Sequence, residues 1–424
     1  MTTQQAASHR LAGYGELVRQ NSDFRWLWFG QIISLLGDWF NLIASASLIA
    51  TLTESGLAVG GLFVVRMLAP FLISPVAGVV ADRYNRKHVL ILADLGRGIV
   101  VLGFLLVRDP AHVWLLYTLT AFQLGISGFF FPARNAILPD IVSRRELGTA
   151  NALSATTWSV MLAFGAALGG LVSGEWGTYP AFVIDALTFF ASAAFLAQIQ
   201  YRFESTASAP ADRTLAAALH QYADGLRYLN EHRDILLIAS QKAALAVFVA
   251  GPFDVMQVSL TEKVFVIGEN GGTSLGLMYA AIGVGTGIGP ILARTFTGDE
   301  DHPQRIAIGL AYGCAALGLG IIAPLASFGV VLAGTALRGV GVGIIWVFST
   351  QLLLQYLPDH VRGRVFATEF ALYTLFYSIG AASSGWAFEH GALSISSLVW
   401  IMAGMILLPG AFWLRQAYRL HNRR

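Results

Sequence analysis

Apolar residues in this chain come in long runs, and polar residues collect in short segments between them. Twelve runs stand out, at 26–52, 57–80, 88–107, 111–137, 151–173, 178–200, 234–260, 273–294, 305–323, 327–356, 364–388 and 393–415. A helix needs about 20 apolar residues to cross the hydrocarbon core of a bilayer. Only helices and closed barrels satisfy their backbone in lipid. The alternating segments of about 10 residues that a barrel requires are absent. The pattern predicts an all-α membrane protein with twelve transmembrane helices, numbered here as spans 1 to 12.

The longest polar stretch, Tyr201 to Asp234, divides the chain into six spans and six spans. Five domains follow: an N-terminal segment (1–25), a six-helix bundle (26–200), a linker (201–233), a second six-helix bundle (234–415) and a basic tail (416–424). Within the linker, Leu215, Leu219, Tyr222, Leu226 and Leu229 recur at helical spacing. An amphipathic helix lying on the membrane surface is expected there, as a tether or a regulatory element.

The halves echo each other. "LPDIVSRREL" from Leu138 follows span 4, and "LPDHVRGRVF" from Leu357 follows span 10, 219 residues later. "GAALGGLVSGEWG" from Gly165 is echoed by "GAASSGWAFEHG" from Gly380, and "GVVADR" after span 2 by "GPILAR" after span 8. Two parallel six-helix repeats are the signature of a rocking transporter with its site near midplane.

Composition narrows the partners. The chain is 55% hydrophobic and 12% charged, half the charge of an ordinary soluble domain, with a mean hydropathy of +0.62. A net charge of +2 gives no reason to expect nucleic acid. The single cysteine, Cys314, allows no intrachain disulfide and no cysteine metal cluster. There is no phosphate loop of the ATPase kind and no H-E-x-x-H. The "GVGTGIG" run from Gly283 lies within a span and reads as helix packing. With the N-terminus placed inside, 20 lysines and arginines fall in inside segments and 2, Arg108 and Lys263, in outside loops. Both termini are therefore expected in the cytoplasm. No cleaved signal peptide is expected. Neither an enzyme activity nor a cofactor or metal is expected.

One loop is more specific. Span 2 runs into "GVVADRYNRKHVL", Gly78 to Leu90. Gly78 lets two helices approach closely, and Arg83, Arg86 and Lys87 hold the loop inside against anionic lipid. Asp82 is a carboxylate at a helix end. This loop resembles the signature loop of the major facilitator superfamily, with Asn85 where the family usually has Gly. The resemblance implies the major facilitator fold and a conformational latch at Asp82, with Arg134 in span 4 as its partner. The finer resemblance is to the bacterial macrolide-efflux and siderophore-exporter (transmembrane secretion effector) branch. It rests on "SLLGD" in span 1, "FFFPARNAILPDIV" and "ANAL" around spans 4 and 5, "GLRYL" in the linker and "RGRV" before span 11. It covers nearly the whole chain. Antiporters of the superfamily often carry Gly-Pro-x-x-Gly-Gly in span 5. Here Ala166 stands where Pro would, and Ala293 stands where Asp82 stands in the first half.

Ionisable residues inside spans are functional by default. Asp38, Arg66, Asp185 and Arg338 are the deepest and are candidates for substrate or proton binding, with the aromatics Trp39, Phe40, Trp346, Tyr373 and Phe376. Tyr377 lies on the same span as the last two. Asp94 and Arg97 are three residues apart on span 3 and are expected to pair with each other. Lys242 and Glu369 are near span ends and are expected to snorkel. Asp254, beyond a Pro252 kink, reads as a solvated group. For Asp38 two readings stand: a proton carrier in a dehydrated cavity, or a permanently ionised partner of Arg66.

The expected function is a monomeric secondary transporter of the bacterial inner membrane. It would export a hydrophobic or amphipathic small molecule, drug or siderophore-like, by proton antiport with alternating access. Its partners would be that substrate, protons and membrane lipids. The alternatives are a lysophospholipid transporter of the same fold, with Arg66 and Arg338 on the headgroup, and a proton-independent uptake carrier.

Overall fold

The computed structural model describes residues 13–143, 145–201, 215–298, 300–390 and 393–421. Among the described residues every regular element is helical. Twelve helices are long and apolar enough to cross a membrane. Spans 1 to 6 are Ser22–Thr53, Gly56–Arg83, Arg86–Leu102, Val113–Ile141, Leu147–Glu175 and Thr178–Ala197. Spans 7 to 12 are Arg233–Lys263, Gly272–Thr297, Asp301–Ile322, Phe328–Tyr356, Asp359–Glu389 and Ile395–Arg419. Span 5 runs unbroken through Ala166, as the missing proline leads one to expect.

The chain forms two compact units. Met1–Ser45 with Ala69–Leu215 makes the first, and Ala46–Leu68 with Ala216–Arg424 makes the second. The second unit thus takes the end of span 1 and the start of span 2. Their connection is tight, with Glu54 in a left-handed conformation at φ 51. Ser55 donates to the Glu389 carboxylate at the end of span 11 (2.7 Å), and Lys263 reaches the Glu54 carbonyl (3.3 Å).

Span 7 is not a plain helix. A π-helical turn, Ala246–Ala250, precedes Gly251 and Pro252. Pro252 has no N–H to donate and its ring crowds the preceding turn; the wider turn relieves both. The bend lies directly on span 11. A Cβ on Gly380 would stand 2.8 Å from the Pro252 ring and 2.8 Å from the Val247 carbonyl. No side chain fits between these backbones, so the two helices touch there.

The linker helix spans Leu215–Glu231. Leu229 is buried in the second unit's core with Ile235, Leu357 and Val361, and Tyr228 packs on that core. Gly225 meets the Arg364 backbone of span 11. Contact with protein buries Leu229, while Leu226 of the same stripe stays exposed.

Candidate functional site

In the first unit the charges gather on span 3. Its apolar face turns inward and carries Asp94 and Arg97 with it, both buried. Arg97 Nη2 pairs with Asp94 Oδ1. Arg97 Nη1 also lies 3.5 Å from Asp38 Oδ2 on span 1. The guanidinium is held over the rings of Phe189 (4.2 Å) and Phe130 (4.8 Å). Asp94 is fully buried, whereas the Asp38 side chain is 28% exposed. A cation beside Asp38 is Arg97, which was expected to pair only with Asp94. Arg66 belongs to the second unit.

Two carboxylates thus lie on one guanidinium, and Asp38 is the more exposed of the two. Asp185 on span 6 is also fully buried and packs with Thr188 against Gly37, the residue before Asp38. Trp39 and Phe40 pack against Gly165 and Gly169 of span 5. Their rings fill the space that these small residues leave.

The loop after span 2 ties the first unit together. Arg86 pairs with Asp140 at the end of span 4, and Asp140 also accepts from Tyr201 (3.0 Å). Lys87 donates to the carbonyls of Ala197 and Ile199 after span 6 (2.8 and 2.7 Å). Arg134 donates to Gln31 (3.0 Å), Asn135 (3.0 Å) and Ser154, all neutral oxygens. The side chains of Gly78, Asp82 and Arg83 lie outside the described residues, and the expected Asp82 latch with them.

In the second unit the touching backbones of spans 7 and 11 bring Asp254 to Tyr377. The Tyr377 hydroxyl donates to Asp254 Oδ2, and Gln257 donates to Oδ1 (2.8 Å). Asp254 is thus a bonded member of a cluster, not a solvated group. Arg338 on span 10 and Arg66 on span 2 both act on its charge. Arg338 is buried, with its guanidinium 3.9 Å from the centre of the Phe253 ring.

A further pair corrects the snorkelling expectation. Lys242 and Glu369 are both buried and pair at 3.0 Å. Lys242 also donates to Thr350 (2.8 Å) and lies 4.6 Å from the centre of the Trp346 ring. Trp346 meets Tyr373 edge-on at 5.1 Å, and Phe376 on the same span is 36% exposed. A lysine with this many partners inside the protein has no need to reach the interface.

Gln257 and the part played by Asp254 were missed. The spacing Asp254–Gln257 is a helical i,i+3 pair and could have flagged them. The contact with Tyr377 depends on which two helices touch, and no single segment records that.

Twelve membrane-crossing helices, with titratable groups buried together in each unit, make the build of a multi-pass membrane transporter. The comparisons agree. The profile of the Major Facilitator Superfamily matches residues 27–382, and the chain belongs to that superfamily. It is a transporter of small molecules and not an enzyme. YfiS of Bacillus subtilis (strain 168), an uncharacterised transporter of the superfamily, is 29% identical over 93% of this chain and 94% of its own. BacE of the same organism, named for bacilysin export, is 26% identical over 50% of this chain and 52% of its own. The multidrug resistance protein MdtG of Salmonella paratyphi C (strain RKS4594) is 34% identical over 31% of each. Among solved structures, a D323A mutant of the nucleoside transporter NupG aligns over 92% of this chain and 99% of its own. The TM-score is 0.72 at 12% identity, a likeness of fold alone.

Proposed function

We propose that this protein exports a hydrophobic or amphipathic small molecule in exchange for protons. The observation that carries this reading is the shared arginine of the first unit. Asp38 is a partly exposed carboxylate on a buried arginine that a second, fully buried carboxylate, Asp94, also holds. Such a group can hold a proton or a cationic substrate, one at a time, and competition at one carboxylate is the chemistry of antiport. Proton entry supplies about 2.3 kcal/mol per charge per 100 mV from the electrical gradient alone. Relatives named for export and multidrug resistance support efflux. The protein would lie in the bacterial inner membrane with both termini cytoplasmic, as the lysine and arginine count favours.

Transport in proteoliposomes with an imposed pH gradient tests this, across drugs, siderophores and lysophospholipids. Uptake into inverted vesicles should follow the gradient, and Asp38→Asn should abolish gradient-driven movement while the protein stays folded. Gradient-independent movement of lysophospholipid would overturn the exporter reading. That second reading, lipid transport, draws its support from Arg338 and Arg66, which could face a headgroup phosphate.

A further inference from the structure

The buried ion pair of spans 7 and 11 has one acceptor to spare. Lys242 Nζ donates to Glu369 Oε2 (3.0 Å) and to the Thr350 hydroxyl (2.8 Å), and it lies 4.6 Å from the centre of the Trp346 ring. Thr350 spends its own hydrogen on the Trp346 carbonyl (2.9 Å), so its oxygen is left to accept from the ammonium. The three N–H groups of Lys242 thus meet a carboxylate, a hydroxyl and a ring face. Glu369 is less well served. It is 3% exposed, and its Oε1 is buried without a hydrogen-bond donor among the described residues. A buried carboxylate oxygen left unsatisfied is costly, and a native protein keeps one for a reason.

The surroundings decide what can meet that oxygen. Span 7 presents Lys242, and span 10 presents the uncharged Thr350 and Trp346. The linker helix packs by Gly225 on Thr368, the residue before Glu369. Its charges are turned to each other and to the start of span 11: Asp224 lies 3.7 Å from Arg227 and 3.8 Å from Arg364. Among the described residues neither Lys242 nor Glu369 forms a second ion pair. A metal ion or a substrate ammonium would need room that so buried a side chain does not offer; a proton needs none.

We propose that Glu369 is a proton-binding site whose occupation loosens span 7 from span 11. A proton from water forms the Oε1–H bond, the carboxylate becomes a carboxylic acid, and the pair passes from neutral to one positive charge, which stays on Lys242. Lys242 keeps Thr350 and the Trp346 ring, but it now donates to a neutral oxygen of Glu369, and the tie weakens. That tie lies one turn before the π-helical turn Ala246–Ala250, the place where span 7 is built to bend. The inference rests on the antiport reading for its part in transport and gives each unit an acid for protons, Asp38 in the first and Glu369 in the second. Proton binding itself does not depend on that reading.

The test reads the carboxyl groups by infrared difference spectroscopy of the full chain in phosphatidylcholine nanodiscs, as pH falls from about 8 to 5. An unhydrated carboxylic acid absorbs above a hydrated one, and isotopic labelling of the glutamate carboxyls assigns the band without any variant. The wild-type protein should gain a label-sensitive, unhydrated band on acidification. Glu369→Gln should lose it, and Glu262→Gln and Asp38→Asn should keep it. Nitroxide labels at Arg233→Cys and Gly363→Cys, both exposed, in a Cys314→Ser background should move apart over the same range. With Glu369→Gln added they should stand apart at both ends of it, since glutamine imitates the neutral acid. Absence of the band from the wild-type protein overturns the proposal, and this arm needs no variant to fold. So does an unchanged band in folded Glu369→Gln, or a label distance that acid does not alter. The two readings fail separately: band and distance are read without substrate or gradient, and Asp38→Asn in the pH-gradient assay tests coupling.

Discussion

In the first unit one guanidinium, Arg97, serves two carboxylates; in the second, the Asp254 carboxylate is bonded by the neutral donors Tyr377 and Gln257, and the Arg338 guanidinium lies over the Phe253 ring. The membrane makes each arrangement expensive, because an unpaired charge inside it has no water to turn to. What differs is how open the acids are. In the first unit Arg97 is held by Asp94 and two rings, and the more accessible carboxylate on it is Asp38. In the second unit Asp254 keeps Tyr377 and Gln257, and Glu369, paired with Lys242, is buried with one oxygen unmet among the described residues. An exposed acid can exchange protons and cations. A buried acid beside a buried lysine has room for a proton alone. The sequence repeat of loops and small residues therefore does not extend to the charges. The scaffold is repeated and its chemistry has diverged.

The largest effect should come from removing the two arginines in turn. Arg97→Gln leaves Asp94 buried with no counter-charge, and breaking such a pair costs about 3–5 kcal/mol. A large fall in the thermal unfolding temperature of the detergent-solubilised protein is expected, recovered in good part by adding Asp94→Asn. Arg338→Gln should cost clearly less, since Asp254 keeps Tyr377, Gln257 and the charge of Arg66. Equal losses would mean that the two clusters lean on their arginines alike.

A smaller effect separates the open acid from the buried one. At neutral pH Glu369→Gln should lengthen the distance between labels at the inner ends of spans 7 and 11, because the Lys242 tie has lost its carboxylate. Asp38→Asn should leave that distance and the buried glutamate band where they were. If Asp38→Asn shifts the distance as far as Glu369→Gln does, the two acids act as one site and the contrast fails.

The sequence carries the scaffold well. Run length yields the spans, the lysine and arginine count suggests their orientation, and the LPD repeats mark the two halves. It also carries pairs within one helix, such as Asp94 with Arg97, because helical spacing alone brings them together. Pairs between helices were not legible. Asp38 meets Arg97 through the packing of spans 1 and 3, and Lys242 meets Glu369 through that of spans 7 and 11. The end of span 1 and the start of span 2 pack into the second unit, and Arg66 goes with them. Composition cannot foretell that division, since it is decided where the tight turn at Glu54 meets the end of span 11.

The smallest effect supplies a control away from both buried clusters. Tyr201, just beyond span 6, donates to Asp140, which also pairs with Arg86. Burial, and then the hydrogen bond and negative charge of Asp140, raise the Tyr201 phenol above its ordinary value. A raised folded-state value means that the stabilisation is fully present below the unfolded value of about 10 and is lost as pH climbs through the folded one. Tyr201→Phe should remove that alkaline limb from the stability profile. At neutral pH it should cost at most about 0.5–1.5 kcal/mol, and nearer the low end because Asp140 is 37% exposed and solvent screens the network. Neither proton-driven transport nor the buried glutamate band should change. Should Tyr201→Phe alter the band, proton binding would be a property of the whole charged scaffold, and the contrast between an open acid and a buried one would lose its meaning.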